Sequence, residues 1–253
     1  MILPLPAASP ATSIADWGGL PYNEFLAKMH AILRPETYLE IGTNTGTSLA
    51  LASYKSIAID PSFKLTQDVV GAKPACLMFN MTSDAFFHQY SPSRLFGQTV
   101  DMAFLDGQHL AEFLVRDFAN LEKSCSKNSI VFMHDCMPVD AGMAGRDINA
   151  DRTAISRYPG WWTGDVWKAV VALRVYRPDL AIFAFDAAWT GLIAVTNLDP
   201  SSTVLTDRYF HILQHCNSLS LETYGLDRYV AELNVLPSAK IDGIGDLGSK
   251  FWL

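Results

Sequence analysis

Tyr38-Leu39-Glu40-Ile41-Gly42-Thr43-Asn44-Thr45-Gly46-Thr47-Ser48 runs from an apolar stretch into a glycine turn, and Ser56-Ile57-Ala58-Ile59-Asp60 follows closely. The pattern predicts a strand over Thr37–Ile41, a helix over Thr47–Ser53 and a second strand over Lys55–Asp60 closed by Pro61. A glycine turn between strand and helix lets a ligand approach the backbone closely. Gly42 and Gly46 are separated by three residues. Asn44 takes the middle glycine position of the G-x-G-x-x-G dinucleotide fingerprint, so the loop departs from that pattern. Asp60 stands 20 residues after Glu40, where a carboxylate can accept both hydroxyls of a ribose. A glycine pair alone is an ordinary strand-turn-helix; joined to Asp60 it favours a nucleoside cofactor.

Outward from this stretch, strand-like and helix-like segments alternate. Phe25, Leu26, Met29, Ile32 and Leu33 recur at helical spacing over 21–33, and Pro35 ends that helix. Cys76–Phe79 reads as a strand, followed by a helix through Phe86 and Phe87. Val100–Asp106 is a near-continuous apolar run, as a strand buried on both faces requires. Leu110–Lys123 is helical, with Phe113, Leu114, Phe118 and Leu121 as its stripe, and Ser129–Met133 is the next strand. Such alternation means right-handed β-α-β units around a parallel sheet. The stretch 138–163 has little periodicity and is expected to be functional or mobile. Gly164–Arg174 is a helix, and Leu180–Phe185 with Gly191–Thr196 form an antiparallel hairpin at a sheet edge. Beyond about Ser201 one helix, Thr206–Cys216, is expected. The reading divides the chain into an arm (1–20), an α/β domain (21–200) and an extension with no assigned role (201–253).

The 253 residues include 49% hydrophobic and 18% charged ones, enough for a sizeable core, and carry a net charge of −7. Phosphate contacts need clustered Lys and Arg, so this balance argues against nucleic acid as a partner. No run of 18 apolar residues is present, so no transmembrane helix and no membrane partner are expected. The first 15 residues are uncharged and interrupted by Pro4, Pro6 and Pro10, unlike a signal peptide. Cys76, Cys125, Cys136 and Cys216 form no C-x-x-C pair, so reduced thiols in a cytoplasmic protein are the expectation. A homo-oligomer stays open.

Two strand ends carry the chemistry: Phe104-Leu105-Asp106-Gly107-Gln108-His109 and Phe132-Met133-His134-Asp135-Cys136. In an open parallel sheet the ligand site lies beyond the carboxyl ends of the strands. Adjacent strands would bring Asp106 and Asp135 together, and two carboxylates repel unless a proton or cation sits between them. A divalent cation, magnesium by its preference for oxygen, would answer that and stabilise a substrate alkoxide or phenolate. The plainer alternative is a pair of acids capping neighbouring loops. His109 either N-caps the following helix or acts as a base, and a helix N-terminus would keep it neutral for that role. Trp161-Trp162-Thr163-Gly164-Asp165-Val166-Trp167-Lys168 is either a core corner or a pocket wall. Asp165 is expected to cap its helix and Lys168 to be solvated. His211 and His215, four residues apart, are weak metal candidates.

YLEIGTNTGTSLALA followed by SIAID resembles motif I and the following acidic strand end of class I S-adenosylmethionine-dependent methyltransferases. The nearest branch is the catechol and caffeoyl-CoA type of O-methyltransferase, with its natural-product and sugar-modifying relatives. The resemblance spans roughly Tyr38 to Val195 and implies a Rossmann-like seven-stranded sheet, mostly parallel, with an antiparallel last hairpin. It implies that Gly42, Asn44, Gly46 and Ser48 hold the methionine part of S-adenosylmethionine, with Glu40 orienting it through water. Asp60 would bind the ribose, and Met81, Thr82 and Ser83 would lie along the adenine. Asp106 would border the cofactor and, with Asp135 and His134, hold the metal. His109 would stand where that family has a catalytic lysine, while Cys136 replaces an Asn of the family's Asp-Asn pair. The expected reaction is methyl transfer to a hydroxyl oxygen of a small-molecule acceptor. The rival readings are an NAD-dependent oxidoreductase and a non-enzymatic S-adenosylmethionine-binding module.

Overall fold

The central strands alternate their side chains between two apolar cores, which is why their sequences show no polar face. In β1 (Thr37–Ile41), Leu39 and Ile41 enter one core and Tyr38 the other. Val131 and Met133 of β5 (Cys125–His134) join the first core, while Ile130 and Phe132 join the second. Both faces of such a sheet must be covered. The computed structural model describes residues 17–248. The expected arm falls mostly on residues 1–16, outside the described ones.

The remaining strands are β2 (Lys55–Ile59), β3 (Cys76–Phe79), β4 (Val100–Leu105), β6 (Ala181–Phe185) and β7 (Leu192–Thr196). They form one sheet in the order β3-β2-β1-β4-β5-β7-β6. The first five strands are parallel, and β7 runs antiparallel to both β5 and β6. The Rossmann-like sheet with an antiparallel last hairpin is therefore present. Strand order reverses between β1 and β4, which opens a crevice at their carboxyl ends.

One face is covered by α1 (Tyr22–Leu33), which buries Phe25, Leu26 and Met29 completely. Each contributes roughly 1.5–3 kcal/mol by leaving water. Arg34 closes the helix in a left-handed conformation at φ 48° before Pro35. The other face is covered by α4 (Ala111–Glu122) and α5 (Trp167–Tyr176), with α2 (Ser83–Gln89) beside β3 and the short α3 (Pro92–Phe96) leading into β4. The loop ahead of α1 pairs with residue 188: Tyr22 N–H donates to the Ala188 carbonyl at 2.8 Å, and Ala188 N–H to that of Leu20 at 2.8 Å.

Three expectations change. The helix over Thr47–Ser53 shrinks to one 3-10 turn, Leu49–Leu51. The chain becomes extended at Ala52, whose carbonyl accepts the Lys73 ammonium at 2.6 Å. Strand β5 begins four residues before the expected Ser129, because exposed Lys127 and Asn128 conceal its start. The tail is also more structured than one helix. It breaks at Arg208 into α6 (Val204–Asp207) and α7 (Tyr209–Ser218), then forms α8 (Leu221–Tyr224), α9 (Leu226–Leu233) and α10 (Ile244–Gly248). Ile212 and Tyr229 enter the first core, and Tyr229 Oη donates to the Cys136 carbonyl at 2.8 Å. All four cysteines are free. No helix among the described residues is long and apolar enough to cross a membrane.

Candidate active site

The glycine loop is stitched between its neighbours. Gly42 N–H donates to the Ile59 carbonyl and Asp106 N–H to that of Ile41, both at 2.9 Å. Residue 42 must be glycine: φ is +86°, and a Cβ would lie 2.0 Å from the Asp106 carbonyl oxygen. Gly46, at φ +83°, has Val69 in the same relation, with Cγ1 2.4 Å from a Cβ built there. Ser48 is buried where the 3-10 turn starts. Asp60 holds the loop from below. Its Oδ2 accepts from Asn44 N–H at 2.7 Å and its Oδ1 from Ser62 N–H at 2.6 Å.

Glu40 is fully buried, and Tyr38 Oη donates to its Oε2 at 2.7 Å. Burial pushes its carboxyl up to about 7 against the lowering effect of that phenol. Glu40 Oε1 and the Thr43 hydroxyl are buried without a hydrogen-bond partner. Orphaned groups of this kind are costly in a finished core, and a polar ligand on the loop would satisfy them. A cavity of about 290 Å³ opens beside the loop, lined by Gly42, Asp60, Thr82, Ser83, Phe113 and Asp117 among others. Thr82 also caps α2, accepting Ala85 N–H at 3.2 Å. Met81 packs against the core instead of lining this cavity.

Beyond the ends of β4 and β5 four ionisable side chains meet. His134 Nδ1 lies 3.1 Å from Asp106 Oδ1 and 3.6 Å from Asp135 Oδ1. His109 Nε2 lies 3.4 Å from Asp106 Oδ1, and its Nδ1 3.0 Å from Asp135 Oδ2. Burial opposes charge on all four, but the opposite charges win. His109 is raised to about 10 and His134 to about 9 by the two carboxylates, while the imidazoliums hold Asp106 and Asp135 below the usual carboxylate range. The ligand atoms of Asp106, His134 and Asp135 lie within 4.8 Å of one another, a donor set that fits a divalent cation. Cys136 is not part of it: its buried thiol donates to the His134 carbonyl at 3.2 Å.

His109 departs from expectation in two ways. It sits at φ 42°, outside the helix, with Leu110 at the N-cap position. The cap is supplied by Asp165, whose Oδ1 accepts Ala111 N–H at 2.9 Å, so Asp165 caps α4 and not its own helix. In the absence of a cation, two carboxylates at close range favour the charged imidazole over the neutral one expected at a helix N-terminus. Lys168 is buried and paired with Asp165 at 3.0 Å, not solvated. His211 and His215 pack edge-on against Tyr176 and belong to no ligand cluster among the described residues.

A second cavity of about 200 Å³ borders the cluster, walled by Tyr22, Trp161, Trp162 and Trp189 with His134 and Asp135. Trp162 stacks on His109 with ring centroids 5.2 Å apart, and Tyr22 lies against His134 at 4.2 Å. The stretch 138–163 supplies two of these walls. It is held by the Asp140 carboxylate, which accepts from Met143 N–H, Ser156 Oγ and Arg157 N–H. Thr190 Oγ1 donates to Asp135 Oδ1 at 2.6 Å. Tyr22, Trp189 and Thr190 are absent from the sequence expectation, since nothing local marks them. The tryptophan cluster did carry a signal.

Residues 39–136 match the family described as "Methyltransferase domain". The S-adenosylhomocysteine-bound methyltransferase PaMTH1 of Podospora anserina shares the fold at TM-score 0.50 and 12% identity, over 70% of this chain and 78% of that one. Cofactor-bound Rv0187 from MTB does so at TM-score 0.51 and 14% identity, over 77% and 83%. No curated protein matches the chain in sequence. Strand order and glycine loop are those of a Rossmann-like methyltransferase fold, and residues 39–136 match a methyltransferase domain, in keeping with the resemblance of the sequence to the S-adenosylmethionine-dependent class.

Proposed function

We propose that the protein transfers the methyl group of S-adenosylmethionine to a hydroxyl oxygen of a small molecule, with a divalent cation, magnesium in the first instance, held by Asp106, His134 and Asp135. One observation carries this reading. The glycine-loop cavity is lined by Gly107 and Gln108, the two residues between Asp106 and His109, and the aromatic cavity by His134 and Asp135, so both cavities adjoin the strand ends that carry the cluster. A donor in the first and an acceptor in the second would meet at ionisable groups. The donor is further supported by the domain match and by the S-adenosylhomocysteine carried by the Podospora neighbour.

The sulfonium is already a strong electrophile, so the protein's task is alignment and deprotonation. Gly42 and the turn through Asn44, Gly46 and Ser48 receive the amino-acid end, with Glu40 and Thr43 as its polar partners. Asp60 takes the ribose hydroxyls, and Thr82 and Ser83 flank the base. Tyr22, Trp161, Trp162 and Trp189 offer flat aromatic surface to the acceptor. A cation at the two acids would lower the pKa of the substrate hydroxyl. His109 takes the hydroxyl proton in its neutral form.

Incubation with S-adenosylmethionine, magnesium and a panel of phenolic and sugar hydroxyls should yield S-adenosylhomocysteine for at least one acceptor. Retention of NAD with no binding of S-adenosylmethionine would replace this reading with the dehydrogenase one.

A further inference from the structure

Helix α4 carries two buried acids on its covered side, and only one is neutralised. Glu122 is gripped by Arg177 at 2.6 and 2.8 Å. Asp117 is 3% exposed, and among the described residues no ion pair reaches it. Its neighbour Arg116 turns instead to Asp84 at 2.6 and 3.0 Å. A buried carboxyl on the same helix face as Leu114 and Leu121 costs stability that an apolar residue would not. Burial pushes it up to about 7 and Asp84 pushes the same way; Ser83 and Arg116 pull it down.

The carboxyl is placed on the wall of the glycine-loop cavity. It shares that wall with Phe113, Thr82, Ser83 and Asp84, and its Oδ2 lies 3.5 Å from a Cβ built on Gly107. The position relative to the chemical centre matters. In S-adenosylmethionine the ribose carries the sulfur on one side and the purine on the other. With the sulfonium directed at Asp106 and His109 and the ribose at Asp60, the purine extends toward Thr82, Phe113 and Asp117.

We propose that Asp117 is the residue that recognises the exocyclic amino group of the donor's adenine, accepting its N–H. The inference rests on the donor reading above. Phe113 offers the adjoining apolar surface, while Thr82 is occupied in capping α2. Asp60, the other buried acid on this wall, is already engaged by the Asn44 and Ser62 N–H groups and assigned to the ribose, which leaves Asp117 as the buried carboxyl on the purine side.

The test is a ligand-variant cycle on the full chain, using S-adenosylhomocysteine and its analogue with unsubstituted purine in place of adenine. Calorimetry on the wild type should show the adenine form binding about 10- to 100-fold more tightly. In Asp117→Ala, and in the apolar near-isostere Asp117→Leu should Ala fail to fold, the ratio should fall to near one. Asp117→Asn, whose carbonyl still accepts, should keep most of the preference. A ratio unchanged in both Ala and Leu would overturn the proposal and leave Asp117 as a structural partner of Ser83. A wild type that binds neither ligand would instead overturn the donor reading, and this inference with it.

Discussion

A Cβ on Gly164 would lie 1.7 Å from the carbonyl oxygen of His109, so these two backbones meet only because residue 164 has no side chain. Gly164 itself has φ +63°. The same carbonyl accepts Asp165 N–H at 3.1 Å, and the Asp165 carboxylate is balanced by Arg146 at 2.8 Å and Lys168 at 3.0 Å. His109 is thereby held in a left-handed conformation that non-glycine residues seldom adopt, as happens at functional sites. Gly164→Ala should destabilise the protein by more than about 1 kcal/mol, since both sterics and φ oppose it. It should also lower turnover more than cofactor affinity. Denaturant melts together with a kcat and Kd comparison check both statements, and a variant with wild-type turnover would show that the contact does not govern His109.

His109→Ala should reduce turnover about 10²–10⁴-fold with little change in either ligand's affinity. The sign of its pH dependence follows from the raised value. His109 is charged below about 10 in the cation-free protein and becomes a base only as pH climbs through that value. A bound cation competes for the same two carboxylates and should move the rising limb to lower pH. Rate profiles with and without magnesium, in wild type and variant, would reveal the shift or its absence. Wild-type activity surviving excess chelator would remove the metal from the reaction.

Asp60→Ala should weaken S-adenosylhomocysteine binding by about 1.5–3 kcal/mol through loss of charge-assisted hydrogen bonds. Because Asp60 also accepts from Asn44 and Ser62, part of that loss will reflect a loosened loop. Calorimetric titration of a folded variant with unchanged affinity would refute the ribose assignment.

Thr190→Val is nearly isosteric and removes one donor to Asp135. About tenfold lower turnover is expected, with cofactor affinity intact, since the hydroxyl bonds a buried carboxylate at 2.6 Å. Thr190→Ser should recover most of it. Equal rates for Val and Ser would mean that Asp135 is positioned by the histidines alone.

His30 is buried on α1 with neither ring nitrogen hydrogen-bonded, and burial first, then the Lys73 charge, lower its pKa to about 4. An unfolded histidine titrates near 6.5, so between these values only the unfolded state gains the proton. Its contribution is intact above about pH 6.5 and is lost as pH falls through 4, on the order of 3 kcal/mol. The stability difference between wild type and His30→Phe should therefore change over that window and be flat above it. A difference independent of pH would contradict a neutral buried imidazole.

The central strands β1, β2 and β4 are legible because each is an apolar run with most of its residues buried, ending at Gly42, Asp60 or Asp106. The acids at 60, 106 and 135 are legible because strand ends in such a sheet converge by topology. What escapes is set by distant pairings. The carbonyl at the end of the turn after the glycine loop is taken by Lys73, 21 residues on, and the cap of α4 comes from Asp165, 54 residues on. Thr190 reaches Asp135 across the sheet from the β6–β7 turn. The charge state of His109 is likewise a property of two partners that no local window contains.

The pairing of Leu20 and Tyr22 with Ala188 bears on the order in which the chain matures during synthesis. Tyr22 leaves the ribosome some 166 residues before the backbone that fixes it. Tyr229, whose hydroxyl secures the carbonyl beside Asp135, comes later still. A nascent chain long enough to complete the glycine loop would thus still lack one wall of the aromatic cavity and the clasp behind the acids. Donor binding can mature before acceptor binding, and a ribosome-tethered series of lengths would show the two capacities arriving at separate times.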